Sequence, residues 1–220
     1  DQLACAVGGF VAIDFRNPEE PLIERIDCDL ERLGYVVCIV NAGGNHADLT
    51  PEYAAIPAEM GAVARFFRKS VLREVDEAGF YAALPELRKA VSDRAILRAI
   101  HFFSENARVP KQAEALKNGD MEAFRSLMTE SGRSSFEYLQ NVYPGAAKER
   151  ELALALALSE RMLSKKGAWR VHGGGFAGTI LALVPLDAAE AYSLEMERVF
   201  GAGSCYRFAV RPVGGVKVGA

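Results

Sequence analysis

The chain has 220 residues, half of them hydrophobic and a quarter charged, with a formal net charge of −3; this is enough for one large domain or two small ones around a substantial core. The mild acidity offers no basic field for a phosphate backbone and excludes nucleic acid as a general partner, while no apolar run approaches the roughly 20 residues of a membrane span. Four dispersed cysteines without a CxxC pair and three scattered histidines, His46, His101 and His172, argue against a disulfide scaffold or a metal cage and for a reduced, cytoplasmic setting.

The chain opens on Asp1 and runs directly into the mostly apolar stretch Gln2–Gly9, which reads as a cut inside a folded unit, because free termini are usually polar and loosely held. Phe10–Phe15 and Tyr35–Val40 are rich in β-branched and aromatic residues and are bounded by turn formers, so both are expected as strands. Between them Leu22–Leu30 alternates apolar and charged side chains, as a half-exposed strand does. From Thr50-Pro51-Glu52 the pattern changes to helical spacing, with Tyr53, Ile56, Met60, Val63, Phe66 and Phe67 on one face. The seam is placed at Asn41–Asn45, which divides the chain into a β-rich part, 1–45, and a helix-rich part, 46–220.

Further helices are expected over Arg73–Tyr81, Pro85–Val91, Asp93–Asn118 with a bend near Pro110, Asp120–Ser131 and Glu149–Leu163. The run Leu152–Leu158, alternating Leu and Ala, suggests that the last of these is deeply buried. The end of the chain reads strand Trp169–His172, glycine run, strand Thr179–Val184, helix Leu186–Phe200, strand Tyr206–Arg211. This order suits an α+β fold with an antiparallel sheet and helices packed on one face.

The segment with most chemical content is Val171–Thr179, which carries Gly173, Gly174, Gly175 and Gly178. Glycines permit positive φ and close backbone approach, and successive N–H groups can form an anion site. A bulge or tight hairpin with packing glycines accounts for the same spacing, and spacing leaves both readings open. A tyrosine near a helix start, such as Tyr53, is by itself more often a residue of the core edge. The basic cluster Arg65, Arg68, Lys69 and Arg73 reads as a solvated face.

GGGFAG resembles the third motif of the GHMP kinases, GGGFGG in galactokinases, with Ala177 in place of a glycine. Three further segments agree in order. Asp1-Gln2 is similar to the galactokinase segment MDQ, and Val40–Tyr53 to a stretch ending in SEY or SKY. His101, Asn118-Gly119-Asp120, and Phe124–Ser131 with Ser134 follow RARH, RRGDYRAFG and LMVESHRSL. The chain departs from the pattern at Gly132, where a histidine is common, and at Val142-Tyr143-Pro144-Gly145, which replaces SCPELD.

The resemblance implies the C-terminal part of the N-terminal kinase domain over 1–45 and the C-terminal domain over 46–220. It implies ATP and Mg²⁺ as cofactors, galactose as substrate, Asp1 as catalytic base, and Tyr53, Gly173, Gly174 and Gly175 at the sugar and phosphate site. The serine-rich loop that cradles nucleotide phosphates on a helix N-terminus does not occur in the 220 residues. The partner of this chain would then be the N-terminal half of the same protein, and the chain alone is expected to be inactive. A kinase for another sugar, or a non-catalytic sensor of galactose and ATP on the same fold, are the alternatives.

Overall fold

The computed structural model describes residues 2–44, 49–145 and 148–216. The opening apolar segment forms a short helix, α1 (Gln2–Val7), which the sequence reading does not anticipate. It is tied to the far end of the chain: the Gly9 N–H donates to the Arg211 carbonyl, and the Gly215 N–H to that of Ala6. Strands β1 (Phe10–Asp14) and β2 (Leu22–Ile26) form an antiparallel hairpin, in register from Phe10 opposite Ile26 to Asp14 opposite Leu22. The second strand ends earlier than its alternation suggested.

Four strands make the main sheet: β3 (Tyr35–Gly43), β4 (Ala168–Val171), β5 (Gly178–Pro185) and β6 (Cys205–Phe208), in the order β4-β5-β3-β6. All its pairings are antiparallel. Strand β3 therefore lies on one side of the expected seam and pairs with β5 and β6 from the other. Its regular register with β5 runs from Tyr35 opposite Pro185 to Asn41 opposite Thr179, and shifts before Gly43 meets Gly178. That irregularity lies at the base of the glycine loop.

The helices are α2 (Thr50–Phe66), α3 (Glu77–Ala82), α4 (Leu84–Ala90), α5 (Asp93–Lys117), α6 (Met121–Ser134), α7 (Glu151–Leu163) and α8 (Ala189–Phe200). Side-chain caps mark several starts, since an Ncap oxygen satisfies an otherwise unpaired amide: Asp76 accepts from the Gly79 N–H, Ser92 from Ala95, and Asp120 from Ala123. Pro110 lies inside α5 and does not end it. Residues Ser135–Leu139 continue α6 as a π-type turn that closes on Gln140, whose φ is 57°; this turn is not anticipated from the sequence.

The α+β class with an antiparallel sheet is as expected, but the helices are not confined to one face. The period of two sends Val36, Cys38 and Val40 toward α7 and α8, together with Ile180 and Ala182. Tyr35, Val37, Leu181 and Leu183 face the other way and meet Leu116 of α5 and Met128 of α6. Burial on both faces is why β5 reads as a continuous apolar run. A separate cluster joins α2 to α3, α4 and α5 through Val63, Phe80, Leu87 and Phe103.

Helix α7 buries Leu152, Ala155, Leu156, Ser159 and Leu163, whereas Leu154 is 50% exposed. The Leu-Ala run thus supplies one buried stripe rather than a helix buried all round. Among the described residues, no helix is long and apolar enough to cross a membrane.

Candidate functional site

The glycine loop connects β4 to β5 and meets the first turn of α2. Tyr53 is half-buried there. Its hydroxyl donates to the Gly175 carbonyl at 2.8 Å, and its ring meets Phe176 edge to face with centroids 5.3 Å apart. Leu49, Ile56 and Ala177 complete a small apolar cluster around this pair. The alanine that departs from the glycine motif is therefore a packed residue.

On its other flank the loop is held by Asn141, just beyond the π-type turn. The Asn141 side-chain amide donates to the Gly174 carbonyl at 3.1 Å, and its own carbonyl accepts from the Phe176 N–H at 2.5 Å. Asn141 is buried. Two loop carbonyls and one loop amide are thus bound to protein groups, and Phe176 holds a φ of 63°, a conformation that costs a non-glycine residue energy unless its surroundings fix it.

The three glycines differ in what surrounds them. At Gly175, φ is +82° and a Cβ would stand 2.0 Å from the Asn141 carbonyl oxygen. At Gly174 a Cβ would meet Tyr53 Cε1 at 2.8 Å, so this glycine makes room for the tyrosine ring. Gly173 has φ +66° and nothing among the described residues within 4 Å of a Cβ position. Gly173 and Gly174 are exposed and Gly175 is buried.

The loop is therefore a fixed backbone ledge, clamped from below and open above Gly173. The structure brings together Tyr53, Gly173, Gly174 and Gly175. Asp1 and His46 lie outside the described residues. Asn141, more than thirty residues from the loop in sequence, was not singled out by sequence reasoning; only the fold reveals its contact.

His172, at the loop's entrance, shares a hydrogen bond of 3.0 Å between Nδ1 and Thr179 Oγ1. Burial, and secondarily the Arg170 charge, hold its imidazole below the ordinary range. His101 lies away from the loop, with Nδ1 2.9 Å from Ser134 Oγ; burial first, then Arg170, push its pKa down to about 4. This pair joins α5 to α6, so the two motif segments that supply it serve the packing of helices. Within the basic cluster, Arg73 forms a two-point pair with Asp14 of β1 at 2.6 and 2.8 Å. Among the described residues, no group of three His, Cys, Asp or Glu side chains could hold a metal ion.

No family model matches the chain. It is 35% identical over 158 residues to the galactokinase of Glaesserella parasuis serovar 5, an alignment that takes in 72% of this chain and 39% of that protein. With the galactokinase of Actinobacillus pleuropneumoniae the identity is 35% over 157 residues, 71% of this chain and again 39% of the relative. The matches thus span about two fifths of the length of these curated relatives. Among solved structures, the galactokinase of Lactococcus lactis complexed with galactose superposes with a TM-score of 0.77 at 20% identity, over 99% of this chain and 55% of that one. The mevalonate kinase of L. major gives 0.57 at 14% identity, over 97% and 52%. The chain is a homologue of galactokinases and has the GHMP kinase fold.

Proposed function

We propose that this homologue of galactokinases forms the C-terminal portion of a sugar kinase that transfers the γ-phosphoryl group of ATP to the anomeric hydroxyl of galactose. The sequence similarity to two galactokinases supports the reaction class. The observation that carries the site is the hydrogen bond from Tyr53 to Gly175, which locks the start of α2 to the loop and presents a tyrosine ring beside an exposed glycine backbone. A sugar resting on this ledge would meet the tyrosine edge and the backbone of Gly173 and Gly174. Phosphoryl transfer depends mainly on positioning and on electrostatic stabilisation, and a clamped ledge supplies the first of these.

Asp1 would act as the base beside the acceptor hydroxyl, because a carboxylate within hydrogen-bond reach can orient or accept its proton. In this reading residues 1–45 complete the N-terminal kinase domain and 46–220 form the C-terminal domain, with β3 bonded into the sheet of the latter. ATP and Mg²⁺ do not fit the described residues alone: the sequence has no serine-rich glycine loop, and no trio of metal-ligating side chains is present among them. Both would be held by the N-terminal half of the same protein, in the cytoplasm.

The deciding experiment measures ADP release with MgATP and a panel of sugars, comparing this chain with one extended by that N-terminal half. Galactose-dependent turnover by the extended protein alone is the expected result. Turnover with another sugar in place of galactose would reassign the substrate. Binding of galactose and ATP without turnover would make the protein a sensor. In the extended protein Gly174→Val should lower turnover at least about ten-fold while the fold persists, because the new side chain displaces the Tyr53 ring; unchanged kinetics in a folded variant would remove the loop from the site.

A further inference from the structure

A cavity of about 270 Å³ opens beside the glycine loop and shares Phe176 with it. Its wall includes Arg94 and Arg98 of α5 and Glu52 of α2. Arg98 is the largest fully buried side chain among the described residues, at 0% exposure. Its Nε donates to the Leu139 carbonyl at 3.2 Å and its Nη1 to Glu59 Oε2 at 2.9 Å. Its Nη2 is buried and has no hydrogen-bond partner among the described residues.

A guanidinium cannot shed its charge and can only donate, so an unmatched nitrogen on a buried one costs more than a neutral orphan would. Its carboxylate partner is also divided. Glu59 is shared, because Arg94 donates to its Oε1 through both Nε and Nη2. A third guanidinium, that of Arg150, lies 3.9 Å over the ring of Tyr143, which also lines the cavity.

We propose that this cavity binds a small oxyanion, a carboxylate or a phosphate group, one oxygen of which is met by Arg98 Nη2 once the wall that now covers that nitrogen yields. Arg94 supplies a second donor at the mouth, where its side chain is 46% exposed. Charge-assisted contacts of this kind are the strong ones, and arginine is the residue suited to carboxylate and phosphate. The remaining wall is aromatic and aliphatic, through Phe136, Val142 and Tyr143, and would hold the carbon body of a carboxylate or the ester side of a phosphate. Because Phe176 belongs both to this wall and to the glycine loop, an occupant would touch the loop from behind.

The site is independent of the kinase reading, since neither sugar nor nucleotide enters the argument. Calorimetric titration of the 220-residue protein at low ionic strength, with inorganic phosphate and separately with acetate, tests it, sodium chloride serving as the reference anion. Saturable heat from phosphate or acetate, with a melting temperature that rises with the concentration of the bound anion, is expected; the anion that gives it identifies the ligand class. Arg98→Met should abolish the binding. The exposed Arg94→Gln, which leaves the buried guanidinium in place, should weaken it about ten-fold in a variant that stays folded. A response to both anions no larger than that to chloride, or undiminished affinity in folded Arg94→Gln, would overturn the proposal.

Discussion

At the scale of the residue, the loop is set by who fills the space around each glycine. Gly175 has no room for a side chain, and the Asn141 carbonyl oxygen occupies the place of its Cβ. Gly175→Ala should therefore destabilise the fold by at least ~2 kcal/mol, from the clash and the positive φ together. Tyr53→Phe deletes the hydrogen bond to the Gly175 carbonyl and leaves the ring contact with Phe176 in place, so its cost should be about 1 kcal/mol. Urea unfolding of the two variants checks the order; equal, negligible losses would mean that the loop relaxes freely and is not a clamped ledge.

At the scale of the element, α6 meets β4 at Gly132. A Cβ on this residue would lie 2.7 Å from the Trp169 carbonyl and 3.0 Å from Arg170 Cβ, so helix and strand touch backbone to backbone. Gly132→Ala gains helix propensity of about 1 kcal/mol but must push α6 off the strand, an overpacking cost of ~1–3 kcal/mol. A net loss of stability by thermal unfolding is expected. Net stabilisation would show that α6 can move, and with it Ser131, whose hydroxyl binds both Arg170 and Glu105.

At the scale of the whole molecule, stability should depend on pH through His101. Its folded pKa of about 4 lies below the ordinary value near 6.5, so protons bind the unfolded chain more readily. The contribution of the neutral imidazole is complete above pH ~6.5 and is lost as pH falls toward 4, by as much as about 3 kcal/mol. His101→Gln, which can still bond to Ser134 but does not titrate, should flatten the stability curve between pH 6.5 and 4; a curve parallel to that of the parent protein would assign the dependence to other groups.

The sequence by itself determined most of the local structure, because periodicity is a local property. The β-branched and aromatic run Tyr35–Val40, the alternation that begins at Leu22, and the 3.6-residue spacing from Thr50 each specify an element without reference to the rest of the chain. It also carried the resemblance, since the glycine run and the motif segments are contiguous in the chain. Tertiary structure decided what periodicity cannot express. That β3 pairs with β5 and β6, that both faces of their sheet are covered by helices, and that Leu154 escapes burial depend on neighbours far away in sequence. The same holds at the site: Tyr53, Asn141 and Gly175 come together only when α2, the π-type turn and the β4–β5 loop are packed, and the unmatched nitrogen of Arg98 exists only once its helix is buried.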